Sequence, residues 1–203
     1  MERKAGFLIF FLIIEKRRNF RVDKFPFYGI MDTMKRNANN KEQLIIEELK
    51  EKPKSCAFTG HRDMDDNFSV LNLKKTIKGL IEKGVDTFYC GVAMGFDMLA
   101  GEIVIKYKKK YPNIKLVVCI PFYNQEKYYS AEDKKRYVKL CEKADEKTVL
   151  FERYVKGCPL ARNRYMADKA DVLLAYCKKD TGGTAYTVNY FHQKYPLKEI
   201  IFL

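Results

Sequence analysis

Beyond residue 50 the chain alternates between two patterns. Short, almost unbroken apolar runs recur at SCAFT (55–59), VDTFYC (85–90), IKLVVCI (114–120), EKTVLF (146–151), VLLAY (172–176) and KEIIFL (198–203). Runs of that length, without a polar residue at every second position, read as strands covered on both faces. The stretches between them carry apolar residues at helical spacing. Helices are expected over 69–83, with Ser69 as N-cap and Gly84 just past the end, then from the loop after Gly91 up to Pro112, over 131–143, from about Pro159, and over 184–194. One more, NKEQLIIEELK (40–50), precedes them and is closed by Pro53. Strands alternating with helices predict an α/β fold, a Rossmann-like three-layer sandwich on a mostly parallel sheet of about six strands. That domain spans 51–203, with residues 1–50 as an N-terminal extension. There is no internal repeat.

The unusual residues fall at one set of connections. TGHRD follows the first strand, GVAMGFD the second, PFYNQ the third, GCPLARNR the fourth and KKDTGGT the fifth. In a parallel sheet these five share the carboxyl edge, where ligands of open α/β folds bind. The spacers on the other edge (KG, YPN, KADE, KADK, KYPLK) hold only ordinary turn residues. The asymmetry predicts a ligand site built from Thr59, Gly60, His61 and Arg62; Gly91, Gly95, Phe96 and Asp97; Pro121 and Gln125; Arg162, Asn163 and Arg164; and Gly182, Gly183 and Thr184.

Residue types narrow the ligand. Gly182, Gly183 and Thr184 ahead of a helix let the backbone approach an anion, with the hydroxyl as an extra donor; the plainer reading is a glycine turn with Thr184 as N-cap. Gly91 and Gly95 bracket a tight turn and serve equally well as packing devices. Asp97 either accepts from ribose hydroxyls or complements the helix dipole. Arg162 and Arg164, expected in the first turn of their helix, are two apart and cannot share a face. One therefore turns to a phosphate while the other braces a neighbouring loop, unless both are surface arginines bonded to carbonyls. Asn163 is placed to order the adjoining loop. Gly60 permits the turn from which His61 and Arg62 offer donors, His61 being as readily structural. Gln125 is positioned to read a base or sugar edge, and Tyr128 or Tyr129 to stack on a base. Met166 and Ala170 belong to the core.

Composition changes the picture little. At 203 residues with 47% hydrophobic side chains, the chain suits one folded domain with an appendage. A net charge of +13 favours polyanions. Its lysines are mixed with acids along helices, as in EIVIKYKKKY and AEDKKRYVKL, which is the pattern of a solvated surface, so nucleic acid ranks behind a small nucleotide as partner. Cysteines 56, 90, 119, 141, 158 and 177 form no C-x-x-C pair, and there are two histidines. No metal site and no cofactor requirement follow, and reduced thiols point to the cytoplasm. AGFLIFFLII (5–14) is too short to cross a bilayer and lacks a cleavage site, so no firm membrane association is expected. Residues 1–33 read first as a mis-assigned start, with Met31 or Met34 the true one, and otherwise as a membrane-surface segment or an inefficient signal.

In this order TGHR, GVAMGFD, PFYNQEKY, LARNRYM and GGTAYTV resemble the YpsA-like branch of the SLOG superfamily, which also holds DNA-processing and Lonely-Guy proteins. The resemblance runs from about Ser55 to Leu203. It implies a Rossmann-like fold that senses nucleotides or nucleotide-derived ligands, NAD-like or ADP-ribose-like, and that self-associates in many relatives. Lonely-Guy enzymes split a base from a nucleoside monophosphate. They carry an arginine four residues before a methionine, as Arg162 and Met166 stand here, and a glutamate three residues after the threonine of their glycine motif. This chain has Thr187 there. Without that carboxylate, glycosidic cleavage falls to Asp97 as the one catalytic candidate, because an oxocarbenium-like transition state needs a nearby carboxylate. The expectation is a cytoplasmic nucleotide-binding sensor. The alternatives are an N-glycosidase that uses Asp97 as acid or nucleophile, and a single-stranded nucleic-acid binder relying on net charge, Arg162 and Arg164.

Overall fold

Five parallel pairings join six strands into one sheet in the computed structural model, which describes residues 53–203. The helix expected over 40–50, the apolar segment 5–14 and the alternative starts lie outside the described residues. The strands are β1 (Ser55–Gly60), β2 (Thr87–Cys90), β3 (Lys115–Phe122), β4 (Glu146–Phe151), β5 (Val172–Tyr176) and β6 (Glu199–Phe202), in the order β4-β3-β2-β1-β5-β6. Five helices connect them: α1 (Val70–Glu82), α2 (Phe96–Lys108), α3 (Ala131–Lys143), α4 (Cys158–Lys169) and α5 (Gly183–Lys194). A short 3-10 turn, Gln125–Tyr128, precedes α3. None of the described helices is long and apolar enough to cross a membrane.

The unbroken apolar runs are explained by burial on both faces. Cys56 and Phe58 of β1, Leu116, Val118 and Ile120 of β3, and Val172, Leu174 and Tyr176 of β5 face α1, α2 and α3. The alternate residues Ala57, Val117, Cys119 and Leu173 pack with Met166, Ala167 and Ala170 at α4 and Phe191 of α5. Local signals set the helices against these faces. The Ser69 hydroxyl accepts from the Asn72 amide at 3.1 Å, and α1 then buries Leu73, Ile77 and Leu80. At the amino edge, the Asp171 carboxylate accepts from the Ser55 hydroxyl at 2.8 Å and from the amides of Lys54 and Ser55, locking β1 to β5.

This topology positions the site. The chain steps outward from β1 to β4 on one side, then returns to lay β5 on the other side of β1. Strand order therefore reverses between β1 and β5, and a crevice opens beyond their carboxyl ends. Two boundaries differ from the sequence expectation. β3 runs on through Pro121 and Phe122, because β4 keeps pairing with it as far as Phe122–Phe151. α4 begins at Cys158 with Gly157 at φ 86° before it, which leaves Arg162 and Arg164 beyond the first turn.

Candidate functional site

A cleft of about 340 Å³ occupies that crevice. Its floor is Thr59 and Gly60 at the end of β1, continued by His61 and Arg62. Ala93 and Asp97 close it on the β2 side, Pro159, Leu160, Arg162 and Asn163 form the α4 wall, and Gly183 and Thr184 open α5 opposite. The structure thus brings together nine of the sixteen residues singled out in the sequence.

Arg162 is the buried charge of the site, 6% exposed. Its Nη1 donates to the carbonyls of Gly91 and Cys119, and its Nε donates to Asn163 Oδ1 at 2.9 Å. Nη2 has no partner among the described residues and is the donor left over at the cleft. Asn163 in turn donates to Thr187 Oγ1 at 2.8 Å, and that hydroxyl donates to the Gly183 carbonyl at 2.7 Å. The chain Arg162–Asn163–Thr187–Gly183 fixes the start of α5 relative to α4.

Asp97 is as deeply buried as Arg162. Burial pushes its carboxyl up to about 6, against the opposing pull of Arg162 and of the Gly91 and Ala93 amides that donate to it. Those two amides converge because Val92, between them, sits at φ 46°, a costly conformation for a β-branched residue.

At α5 the cap residue Gly182, φ 95°, supplies no side-chain bond to the first turn. The Thr184 hydroxyl, in a residue 6% exposed, and the Thr59 hydroxyl, in one 4% exposed, have no hydrogen-bond partner among the described residues and border the cleft. Unpaired first-turn amides, the hydroxyls of two largely buried threonines and one guanidinium nitrogen therefore border one space. His61 has another task. Its Nε2 accepts the Lys178 amide at 2.8 Å, tying the loop after β1 to the loop after β5, and its ring meets Tyr176 edge-on. Burial and then Lys179 hold it below the usual histidine range.

The remaining candidates do not line the cleft. The space beside Gly91 is filled by Arg162 and Asp97, and that beside Gly95 by the Arg62 carbonyl, so both glycines serve close packing. Phe96 is fully buried and stacks on Tyr176. Pro121 is a buried residue of β3. Gln125 is buried with its Nε2 toward the Gly91 carbonyl at 3.5 Å, and it is not part of the cleft lining. Tyr129 lies over the Val92 carbonyl, while Tyr128 stands 87% exposed on the 3-10 turn. Arg164 turns from the cleft and donates to Tyr186 on α5 at 2.7 Å, and Gly182 contributes only the turn. Sequence reasoning missed Ala93, Pro159 and Leu160. Pro159 carried a signal, a proline at a helix start, whereas Ala93 carried none. No group of three or more metal-ligating side chains occurs among the described residues, and all six cysteines are free.

Comparison with known proteins agrees with this architecture. The YpsA profile, the YspA SLOG family, matches residues 54–201. A UPF0398 protein of Halalkalibacterium halodurans is 34% identical over 113 residues, 55% of this chain and 60% of that protein. YpsA of Bacillus subtilis is 27% identical over 147 residues, 66% of this chain and 81% of that one. YoqJ, an SPbeta prophage-derived protein of the same organism, is 30% identical over 146 residues, 64% and 85% of the two chains. Among solved structures, DNA processing protein A of Helicobacter pylori superposes with a TM-score of 0.56 at 20% identity, covering 74% of this chain and 65% of that one. Its Streptococcus pneumoniae counterpart gives 0.55 at 18%, covering 73% and 49%. At these identities the likeness is one of fold.

Proposed function

The chain belongs to the YspA SLOG family, and from that premise we propose that its Rossmann-like domain binds a nucleotide or nucleotide-derived ligand by the phosphate in the β1–β5 cleft, as a sensor. The observation that carries the reading is the uncapped start of α5, with the Thr184 hydroxyl on it and buried Arg162 across the same cleft. Helix-start amides and a positive dipole end favour an anion, and a guanidinium nitrogen without a partner among the described residues is a strong donor to phosphate oxygen. At about 340 Å³ the cleft sits near the small end of ligand pockets, roughly 300–1,000 Å³, and holds the phosphate and sugar of one nucleotide. An NAD-like or ADP-ribose-like ligand enters by one such end.

Holding is favoured over cutting. The position that carries a carboxylate in the related base-releasing enzymes is Thr187, 1% exposed and committed to Gly183 and Asn163. A second reading has one observation in its favour: Asp97, on the cleft wall with its carboxyl near 6, is a group poised to donate a proton to a leaving base. Its ionised form is held by two amides and Arg162, which supports an anchoring role. Slow release of free base from AMP, lost in Asp97→Ala, is the result that would favour the enzyme. The Helicobacter pylori fold neighbour is described as binding single-stranded DNA. For this chain, that reading requires affinity that falls steeply with salt.

The main test is a thermal-shift series with AMP, ADP-ribose and NAD on wild type and Gly183→Glu. A Cβ at Gly183 meets only ordinary contacts, Asn163 Nδ2 and Leu160 Cδ2 at 3.9 Å, so the variant folds. Its carboxylate suits a helix start yet takes the anion's place. A nucleotide raises the wild-type melting temperature and leaves the variant's unmoved; no rise with any of the three overturns the reading.

A further inference from the structure

Beside the cleft, aromatic rings crowd the carboxyl ends of β3 and β4. Tyr154 is 63% exposed and Tyr123 59%, on the connections that leave the two strands. Phe122, at the end of β3, meets the Tyr154 ring edge-on with centroids 5.4 Å apart, and it pairs in register with Phe151 of β4. The edge-on contact braces Tyr154 while leaving much of its ring open.

The patch and the cleft share a wall. The β4–α4 connection carries Tyr154 and, five residues on, becomes Pro159, which lines the cleft. They also share a strand. Arg162 is held by the Cys119 carbonyl of β3, and Phe122 lies three residues further along, about 10 Å at the rise of a strand. That is the reach of a nucleoside from its sugar-phosphate end to the far side of its base. Inside the cleft the groups without a partner among the described residues are two hydroxyls, helix-start amides and a guanidinium nitrogen, all suited to phosphate and sugar. Gln125, the base reader expected from sequence, is buried and turned to Gly91. The cleft thus provides for one end of a nucleotide and leaves the base without a partner.

We infer that the base leaves the cleft over the α4 wall and stacks on Tyr154, braced by Phe122. This rests on the phosphate-binding reading above and adds a subsite for a flat heteroaromatic ring. Stacking of this kind tolerates any base, since each has a π-face.

Calorimetry on the full 203-residue chain with two probes, AMP and ribose 5-phosphate, separates the two readings. Wild type binds AMP more tightly than ribose 5-phosphate. Tyr154→Ala weakens AMP roughly tenfold and leaves ribose 5-phosphate unchanged. Tyr154→Phe retains the preference, because the ring is kept. Tyr128→Ala, on the 3-10 turn, leaves both affinities as they were. An unchanged AMP affinity in Tyr154→Ala overturns the stacking subsite while the phosphate reading stands. An equal loss for both probes overturns it too, marking Tyr154 as structural. If wild type binds neither probe, the subsite is overturned, while the phosphate reading is decided by the ADP-ribose and NAD arms of the melting series.

Discussion

Arg162 and Asp97 meet over Gly91. Arg162 Nη1 and Asp97 Oδ2 both stand within van der Waals contact of the point a Cβ on Gly91 would occupy, Oδ2 at 2.7 Å from it. Side-chain ends usually yield to such an intrusion. Nη1 yields least, because it is held by the Gly91 and Cys119 carbonyls. Gly91→Ala therefore costs about 1–3 kcal/mol, as overpacking does, and swings the guanidinium out of line with the cleft. Urea denaturation measures the loss; wild-type stability in the variant would show the pair to be more yielding than its bonds imply.

Asp97 makes a pH prediction with a definite sign. Its folded value, about 6, lies above the ordinary 3.8, so the folded state binds the extra proton between those limits. Stability from this group is full below pH 3.8 and is lost as pH rises through 6. Asp97→Asn keeps the shape without the titration. Its advantage over wild type grows between pH 4 and 6 and levels off above, at on the order of 2–3 kcal/mol, at about 1.4 kcal/mol per unit. Melting curves of both proteins across pH 4–8 give the difference directly. A constant difference removes the buried carboxylate from the account.

The sheet was legible because unbroken runs such as VLLAY can be satisfied only by cover on both faces, and the carboxyl edge follows from that. The roles within the edge were not. Gly91 and Gly95 are read from sequence as part of the ligand site or equally as packing devices, and in the structure each yields its space to another part of the protein, Arg162 with Asp97 and the Arg62 carbonyl. A missing Cβ reveals that something comes near, not what it is. Arg162 and Arg164 are alike in sequence and diverge because successive helix positions two apart point away from each other, one into the cleft and one to Tyr186.

His61 titrates in the opposite direction. The Lys178 amide donates to Nε2, which requires the neutral ring, and burial with Lys179 lowers its value from 6.5. The unfolded chain then binds more protons just below pH 6.5, so stability falls as pH drops through that window and is full above it. His61→Gln places an amide oxygen that accepts the same N–H without titrating. Wild type loses stability relative to His61→Gln on moving from pH 7.5 to 5.5. Parallel melting temperatures would mean that the Lys178 bond does not depend on the ring's charge.

Thr187 stands where the Lonely-Guy motif that the sequence resembles has a glutamate, and restoring the glutamate looks like a route to activity. The hydroxyl there is 1% exposed, receives Asn163 Nδ2 and donates to the Gly183 carbonyl, so it is the pin that sets α5 against α4. Thr187→Glu puts an ionisable group into that contact, where Arg164 is committed to Tyr186 and Arg162 has its Nε on Asn163 and its Nη1 on Gly91 and Cys119, leaving only Nη2 uncommitted among the described residues. Breaking the pin and burying a carboxylate together cost about 3–5 kcal/mol. The expected variant melts well below wild type, releases no base from AMP over hours, and loses the nucleotide-induced rise because the start of α5 has moved. A stable Thr187→Glu protein that liberates adenine would reverse the conclusion and place this cleft one substitution from catalysis.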